Sequence, residues 1–328
     1  MPIPCRFNPM GKSNKPQAFE LVVKPGILAT DMTYGFTPYW NTGGYCSVDW
    51  GDGSKEDAVT NKTKLNHTYA VAGTYKIRIK AECYNVRCGS DLLYDCSENW
   101  DSLGDITGLN GSVMMTFDYA TNLVHSFKTL PRNLQYASYM FRSCYNADFM
   151  MTSLPVGLVS VYCMFENCSK ATIPFLTSLP EGLTNGNSMF YGCKNALLPL
   201  TKLPDSLSSA DGMFMYCNKA NFEFTKLPDS LQNGAYMFQD CLLAKLPLTN
   251  LSAGLTSGRN MFFGCKNAEI NLDTLVANAP AEGWTALTTI QNMFNGCSKV
   301  TGSRSAFLAK CPNVTNTNNA FNGTNTTE

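Results

Sequence analysis

The chain has 328 residues, a length that favours about two domains. Its 25 basic and 25 acidic side chains give a formal net charge of zero, so we expect neither nucleic acid nor an anionic membrane as a partner. Charged residues are only 15% of the chain, so much of its surface must consist of Asn, Thr, Ser and Gly, which suits extracellular or virion surfaces better than a cytosolic enzyme.

The beginning of the chain carries no sign of a membrane segment or a leader. No apolar run reaches the roughly 18 residues that cross a bilayer, so we expect no membrane insertion. Residues 1–10 (MPIPCRFNPM) lack the basic and apolar regions of a signal peptide. We therefore expect either that the protein is not exported by the general secretory route or that its leader has been removed. Residues 1–16 are assigned as an N-terminal extension.

The next segment, residues 17–87, has the signals of a small β domain. Tyr75, Ile77 and Ile79 alternate with charged residues, which is typical of a strand with one buried face. Asp52 and Gly53 supply the chemistry of a tight turn. These signals predict a β-sandwich over residues 17–87.

Three motifs in this segment resemble the PKD-type immunoglobulin-like domain. They are residues 48–54 (VDWGDGS), 67–69 (HTY) and 73–79 (GTYKIRI). In that family a strand ends in a Gly-Asp-Gly turn, and a later hairpin leads into the last strand. The resemblance implies an immunoglobulin-like fold, and it makes His67 a hydrogen-bonded structural residue.

Asp49, Asp52 and Asp57 raise the alternative of a calcium loop in this domain. Gly51 falls where an EF-hand needs a second oxygen ligand. A structural turn is therefore the favoured interpretation, and we expect no calcium.

The cysteines of the N-terminal region raise two further alternatives. Cys46 and Cys83 could bridge the two sheets, but without an export signal a disulfide is the less favoured interpretation. Cys83, Cys88 and Cys96 could bind zinc, but no fourth ligand is spaced to complete a tetrahedral set. We expect no metal and no other cofactor.

Seven copies of Met-Phe-x-x-Cys dominate the rest of the chain. The first six Met residues are spaced 24 or 25 residues apart, and the seventh follows after 32. The copies occupy residues 140–144, 164–168, 189–193, 213–217, 237–241, 261–265 and 293–297. A fixed period of this length predicts a solenoid, in which each coil buries its apolar face against its neighbours.

The solenoid is predicted to extend beyond these seven copies. Degenerate copies lie at residues 116–120 and 320–324, as expected for terminal repeats that cap the ends. Residues 280–284 (PAEGW) are assigned as an insertion on one loop face. We therefore predict a mainly β chain, with an N-terminal immunoglobulin-like sandwich, a linker and cap over residues 88–104, and a leucine-rich-repeat-type solenoid of about nine 24-residue coils over residues 105–328.

Each coil is expected to contain a short strand, a Leu-Pro corner, a polar turn and a return segment with Met-Phe and Cys. A small residue, Ala in six copies and Val300 in the seventh, lies three positions after Cys. Apolar residues follow it at alternate positions, which is typical of a half-buried strand. The predicted inward pairs are Phe149/Met151, Ile173/Phe175, Leu198/Leu200, Phe222/Phe224, Leu246/Leu248 and Ile270/Leu272.

The repeated cysteines are predicted to be buried free thiols. Neighbouring coils lie about 4.8 Å apart with parallel Cβ vectors, whereas the Cβ atoms of a disulfide are about 3.8 Å apart. Seven is also an odd number of residues to pair.

The repeats resemble the BspA-type leucine-rich repeats and related short repeats of bacterial surface proteins. Residues 260–265 (NMFFGC) and 292–297 (NMFNGC) carry the resemblance best. It implies a surface protein of the kind that occurs on bacteria, in host adhesion and in phages of gut bacteria. The regular Leu-Pro corners of this chain depart from that family pattern.

The sequence offers little for catalysis. His125 lies in a degenerate coil, and neither Cys nor Ser is spaced to act as its partner. No phosphate loop, hydrolase elbow or metal triad is present. We expect a protein that is not an enzyme, with a cysteine-dependent enzyme as the remote alternative.

The residues between the inward pairs vary from coil to coil, and we call them the outward strip. They form either a binding face or only a solvated surface. The outward strip consists of Asp148, Met150, Thr172, Pro174, Leu197, Pro199, Asn221, Glu223, Lys245, Pro247, Glu269 and Asn271.

These features together predict a non-catalytic recognition or structural protein at a surface. The favoured interpretation is a phage virion component, such as a head fibre, decoration protein or tail-associated adhesin, that projects the solenoid for host or glycan binding. The alternative is a bacterial cell-surface adhesin or lipoprotein ectodomain. The expected partners are a protein or glycan at a cell surface or neighbouring virion subunits, and a homo-oligomer is compatible with the sequence.

Overall fold

The computed structural model describes residues 17–23, 33–39, 46–57, 65–73, 75–81, 85–87, 100–103, 111–112, 117–118, 126–127, 130 and 134–328. The strands in these residues are β1 (Gln17–Val23), β2 (Thr33–Tyr39), β3 (Cys46–Asp49), β4 (Lys55–Glu56), β5 (Leu65–Thr68), β6 (Tyr75–Ala81), β7 (Asn85–Arg87), β8 (Trp100–Leu103), β9 (Gly111–Ser112), β10 (Ser126–Phe127), β11 (Leu134–Tyr136) and β12 (Asp148–Phe149). The helices are α1 (Leu272–Ala277) and α2 (Arg304–Ala309).

The first eight strands form two antiparallel sheets. One sheet has the order β4-β3-β6-β1-β8, and the other has the order β5-β2-β7. In β6, Ile77 is buried and Arg78 is exposed, which agrees with the predicted alternation. β8 is paired with β1 although it lies in the segment predicted as a linker, so this sheet extends to Leu103.

From Tyr136 onward the chain repeats a structural unit, and we take as the first residue of each unit the one that forms a parallel bridge with its equivalent in the next unit. The bridged residues, in order, are Tyr136, Ser160, Asn185, Ser209, Asn233, Ser257, Thr289 and Asn316. Each is bridged to the next, so successive units stack in parallel. One sequence period therefore corresponds to one step of the stack.

The backbone around Met and Phe explains why the units keep this register. We call the segment from the residue before Met to Cys the arch. Within each arch, the residue before Met and the residue before Cys both have positive φ, for example Gly212 at 58° and Tyr216 at 64°. The amide N–H groups of these two residues and of Phe214 donate to carbonyl oxygens of the next unit at 2.9 Å. The left-handed backbone of these residues thus directs their N–H groups toward the neighbouring unit instead of toward their own turn.

The core of the stack is the repeated Met, Phe and Cys. All seven Met-Phe pairs are fully buried. The Phe rings form a continuous column from Phe117 to Phe321, with centroids 5.4–5.8 Å apart and ring planes within 18° of parallel. Burial of each ring contributes about 1.5–3 kcal/mol, and ring contacts add about 0.5–1.5 kcal/mol. The stack is stabilised at every step by the same contacts.

The predicted strands are mostly absent from the described units, and β12 is the one inward pair segment that contains a strand. Ile173, Leu198 and Leu246 instead have positive φ values of 41–45°. Each of the three directly precedes a proline, whose ring disfavours helical backbone before it and which has no N–H for a ladder. Proline therefore interrupts the strand while the side chain before it stays buried.

One predicted inward residue points outward. Phe175 is 47% exposed, whereas the next residue, Leu176, is buried. This unit is one residue longer than its neighbours, so the buried position moves by one residue. The prediction that Phe175 pairs with Ile173 in the core was wrong.

The two longest units contain helices where strands were predicted. Asn271 caps α1 by accepting a hydrogen bond from the Thr274 N–H at 3.0 Å, so Leu272 is buried as a helix residue. The insertion after it is not only a surface loop, because Trp284 is fully buried with its ring 5.3 Å from that of Phe307 in α2. Both helices therefore extend the core of the stack.

Candidate functional site

The outward strip is the surface that the sequence singles out, and none of its members is buried. Asp148, Met150 and the three prolines are half-buried. The exposed members are Thr172, Leu197, Asn221, Glu223, Lys245, Glu269 and Asn271.

Backbone hydrogen bonds join members of one half of the outward strip across neighbouring units. The Leu197 N–H donates to the Thr172 carbonyl, and the Asn221 N–H donates to the Leu197 carbonyl, each at 2.6 Å. The Glu269 N–H bonds to the Lys245 carbonyl in the same way. Thr172, Leu197 and Asn221 thus lie on adjacent units at equivalent positions.

The second half of the outward strip is less regular. Three of its members are proline, which cannot donate to a neighbouring unit. Asn271 lies at the end of this half as the cap of α1, and its side-chain amide donates to the Thr301 hydroxyl at 3.3 Å. The backbone hydrogen bonds of the first half, by contrast, join two separate groups, Thr172–Leu197–Asn221 and Lys245–Glu269.

The seven repeated cysteines are free thiols, as the spacing predicts. Each Sγ–H donates to the carbonyl oxygen of the Phe in the preceding unit, with Sγ to oxygen distances of 2.8–3.0 Å. In every unit that has a Cys, the carbonyl of its Phe also accepts the N–H of that Cys, as in Cys193 N–H to Phe190. The thiol is thus a link between units. The sequence from residue 134 onward contains no His that could act as a base for these thiols.

Burial also suppresses the reactivity of these thiols. Removal from water raises the pKa of the Cys297 thiol to about 12. The same cause raises the pKa of the Cys168, Cys217, Cys241 and Cys265 thiols above their usual range. Since the thiolate is the nucleophile, these cysteines are poor candidates for covalent catalysis.

A second cluster lies at the Gly-Asp-Gly turn of the N-terminal domain. His67 stacks on Trp50 with centroids 4.9 Å apart, and its Nε2 lies 2.8 Å from the Asp52 carboxylate. Partial burial raises the pKa of Asp52, but hydrogen bonds from Ser54 and from His67 outweigh it and lower that pKa to about 2. These contacts give His67 the structural role that the resemblance implies.

Two of the three aspartates proposed as an alternative calcium loop, Asp49 and Asp52, bind local donors. Asp49 accepts the Gly51 N–H at 3.0 Å and lies 3.1 Å from the Lys55 ammonium. Asp52 accepts the Ser54 N–H at 3.0 Å. No group of three or more His, Cys, Asp or Glu among the described residues is arranged to hold a metal ion.

Several predicted site residues cannot be compared with the structure. Cys83, Cys88, Cys96 and His125 lie outside the described residues. Cys83 is the possible disulfide partner of Cys46. Cys46 itself is a buried free thiol, and burial raises its pKa to about 12. Among the described helices, none is long and apolar enough to cross a membrane.

Two features on the surface of the stack were not predicted from the sequence. Half-buried or exposed tyrosines in or beside the arches pair edge to face across units, with ring centroids 5.1 Å apart for Tyr139 and Tyr162 and 5.6 Å apart for Tyr191 and Tyr216. The second feature is a row of lysines in the two-residue turn between Cys and the small residue. Alignment of the units on Met would reveal both, because the residues recur at equivalent or adjacent positions.

Comparison of the chain with protein-family models, with curated proteins and with solved structures found no match in any of the three.

Proposed function

We propose that residues 105–328 form one leucine-rich-repeat-type solenoid and that residues 17–87, together with β8, form a PKD-like β-sandwich. The parallel bridges between units and the continuous Phe column support the first part. The two antiparallel sheets and the Trp50–His67–Asp52 cluster support the second. A stack of this kind gives an extended surface on which each unit contributes a few exposed residues.

On this architecture we propose a non-catalytic, surface-exposed recognition protein, most specifically a phage virion component that projects its repeats for host or glycan binding. One observation carries the proposal: Met, Phe and Cys stay constant and buried in the seven complete copies of the repeat, while the exposed residues between them vary. A binding scaffold needs buried residues that stay the same from unit to unit and exposed residues that can differ between units. The buried, hydrogen-bonded thiols support a structural role for the most chemically reactive residue type of the repeat.

Immunogold labelling with antibodies against the recombinant chain tests the location. We expect label on intact phage particles from the source culture, and mass spectrometry of purified particles should detect the same chain. Label on intact bacteria without label on particles would replace the virion proposal by the bacterial adhesin. Label on neither surface would overturn a surface function altogether.

A further inference from the structure

The stacked units carry a row of positive charge on one edge. Between Cys and the following small residue, each of the seven units has a two-residue turn, and none of these turns contains Asp or Glu. Five of the turns contain one lysine, and all five lysines are exposed. We call this set the lysine edge, and it consists of Lys170, Lys194, Lys219, Lys266 and Lys299.

Contacts between neighbouring turns bring the lysines onto one edge. The Asn195 side-chain amide donates to the Ser169 carbonyl at 2.9 Å, so the turn with Lys194 lies directly on the turn with Lys170. The Ser298 hydroxyl donates to the Lys266 carbonyl at 3.3 Å in the same way. The turn of each unit therefore follows that of the preceding unit at one step of the stack.

The charges of the lysine edge are largely uncompensated. Within the described part of the chain, Lys194, Lys219 and Lys266 form no ion pair, and Lys299 lies 3.6 Å from an exposed Glu269. Like charges one step apart repel one another, so the row attracts negatively charged groups, most strongly at low salt. By contrast, Lys202, on the Leu-Pro side of its unit, pairs with Glu181.

The groups around the lysines favour one kind of polyanion. The row contains no arginine, the residue that recognises phosphate by paired hydrogen bonds. Tyr145 is the one aromatic residue of these turns, whereas single-stranded nucleic acids need successive rings for base stacking. Asn and Ser side chains of the same turns, such as Asn267 and Ser298, match the hydroxyl groups of sugars.

We propose that the lysine edge binds a linear polysaccharide that carries carboxylate or sulfate groups along its length. The inference rests on the proposed recognition function and names its ligand class. Successive lysines would contact successive acidic groups, and neighbouring Asn and Ser side chains would bind the sugar hydroxyls. The net charge of the chain is zero although this edge is positive, because acidic residues such as Asp205 and Asp229 lie elsewhere, after the Leu-Pro corners.

Binding of the full chain to four probes tests the proposal: heparin, polygalacturonate, neutral dextran and an oligothymidylate. The edge variant is Lys194→Gln with Lys219→Gln, and the matched control is Lys202→Gln with Lys226→Gln, which removes two exposed lysines from the same two units. We expect heparin or polygalacturonate to bind at low salt, with about tenfold weaker affinity for the edge variant and less than about twofold for the control. Heparin and polygalacturonate distinguish sulfate from carboxylate as the group recognised.

Three results would overturn the proposal: no binding of either acidic polysaccharide, equal losses in the two variants, or tighter binding of the oligothymidylate. Unchanged circular dichroism spectra would show that both variants remain folded. The immunogold result is independent of these measurements. Label on particles or cells without polysaccharide binding would leave the recognition function standing and refute only this ligand.

Discussion

The Sγ of Cys217 lies 3.0 Å from the carbonyl oxygen of Phe190, one unit earlier in the stack. That oxygen also accepts the N–H of Cys193, so one carbonyl receives a backbone bond from its own unit and a thiol bond from the next. The repeated cysteine is therefore explained by its position and its weak donor, without any chemistry at sulfur.

Loss of this thiol should destabilise the stack beyond the loss of its volume. We expect Cys217→Ala to lower the free energy of unfolding by about 2 kcal/mol, through a small cavity and a lost hydrogen bond. Cys311→Ala is the control, because Cys311 is also buried but its thiol forms no hydrogen bond among the described residues. Urea unfolding measures both, and we expect a loss of about 1 kcal/mol in the control. Equal losses would contradict a role for the thiol bond.

The thiols of the repeated cysteines should be inaccessible in the folded protein. A maleimide probe, followed by peptide mapping, should label Cys168, Cys217 and Cys265 only after denaturation, because they are fully buried and burial raises their pKa. Rapid labelling of any of these three in the native state would revive the cysteine-dependent enzyme.

Gly283 occupies a position where any side chain would be unfavourable for two reasons: its backbone is left-handed, and a neighbouring backbone segment lies very close to it. Its φ is 75°, and a Cβ atom there would overlap the carbonyl oxygen of Lys310. We expect Gly283→Ala to cost about 3 kcal/mol, the strain of left-handed backbone plus the displaced segment. Gly323→Ala separates the two effects, since Gly323 has a similar φ of 71° but its nearest neighbour would be 3.5 Å away.

For Gly323→Ala the expected cost is about 1 kcal/mol, from strain alone. Thermal unfolding of the two variants gives the comparison. A Gly283→Ala variant as stable as Gly323→Ala would show that the contact with Lys310 is not as close as described.

The Asp52–His67 contact should make the N-terminal domain sensitive to acid. The folded-state pKa of Asp52 is lowered from 3.8 to about 2, so the folded domain binds fewer protons than the unfolded chain between these values. Its contribution to stability is therefore complete above about pH 4 and is lost as the pH falls toward 2. Near-ultraviolet circular dichroism, to which Trp50 contributes with the other aromatic residues, follows the transition.

Asp52→Asn should remove this part of the pH dependence, because the amide does not titrate. The variant should be less stable than the native protein at pH 6, and the difference should shrink toward pH 2. Parallel stability curves across this range would rule out the carboxylate as the acid-sensitive group.

The sequence was sufficient to predict that the repeated Met, Phe and Cys are buried. It was not sufficient to predict the backbone conformation of the segments between them. Met213, Phe214 and Cys217 recur at fixed spacing because packing between units constrains each of them. Phe175 and Leu176 could not be told apart, since both are apolar and a single added residue decides which one is buried.

The lysine edge was missed for a related physical reason. Lys194 directly follows its Cys, whereas Lys219 lies two positions after its own, so no single column of the sequence contains them. The exposed two-residue turn brings both positions to the same edge. Alternation between neighbouring positions is tolerated there because these lysine side chains are exposed rather than packed in the core.

Hydrogen–deuterium exchange tests most directly whether units 24 residues apart are joined by backbone hydrogen bonds. The N–H of Phe190 donates to Met213 and that of Phe214 to Met237, both at 2.9 Å. We expect the arch amides of residues 185–256 to exchange slowly, with protection repeating from unit to unit. Fast exchange throughout these residues would contradict the stack and every proposal that depends on it.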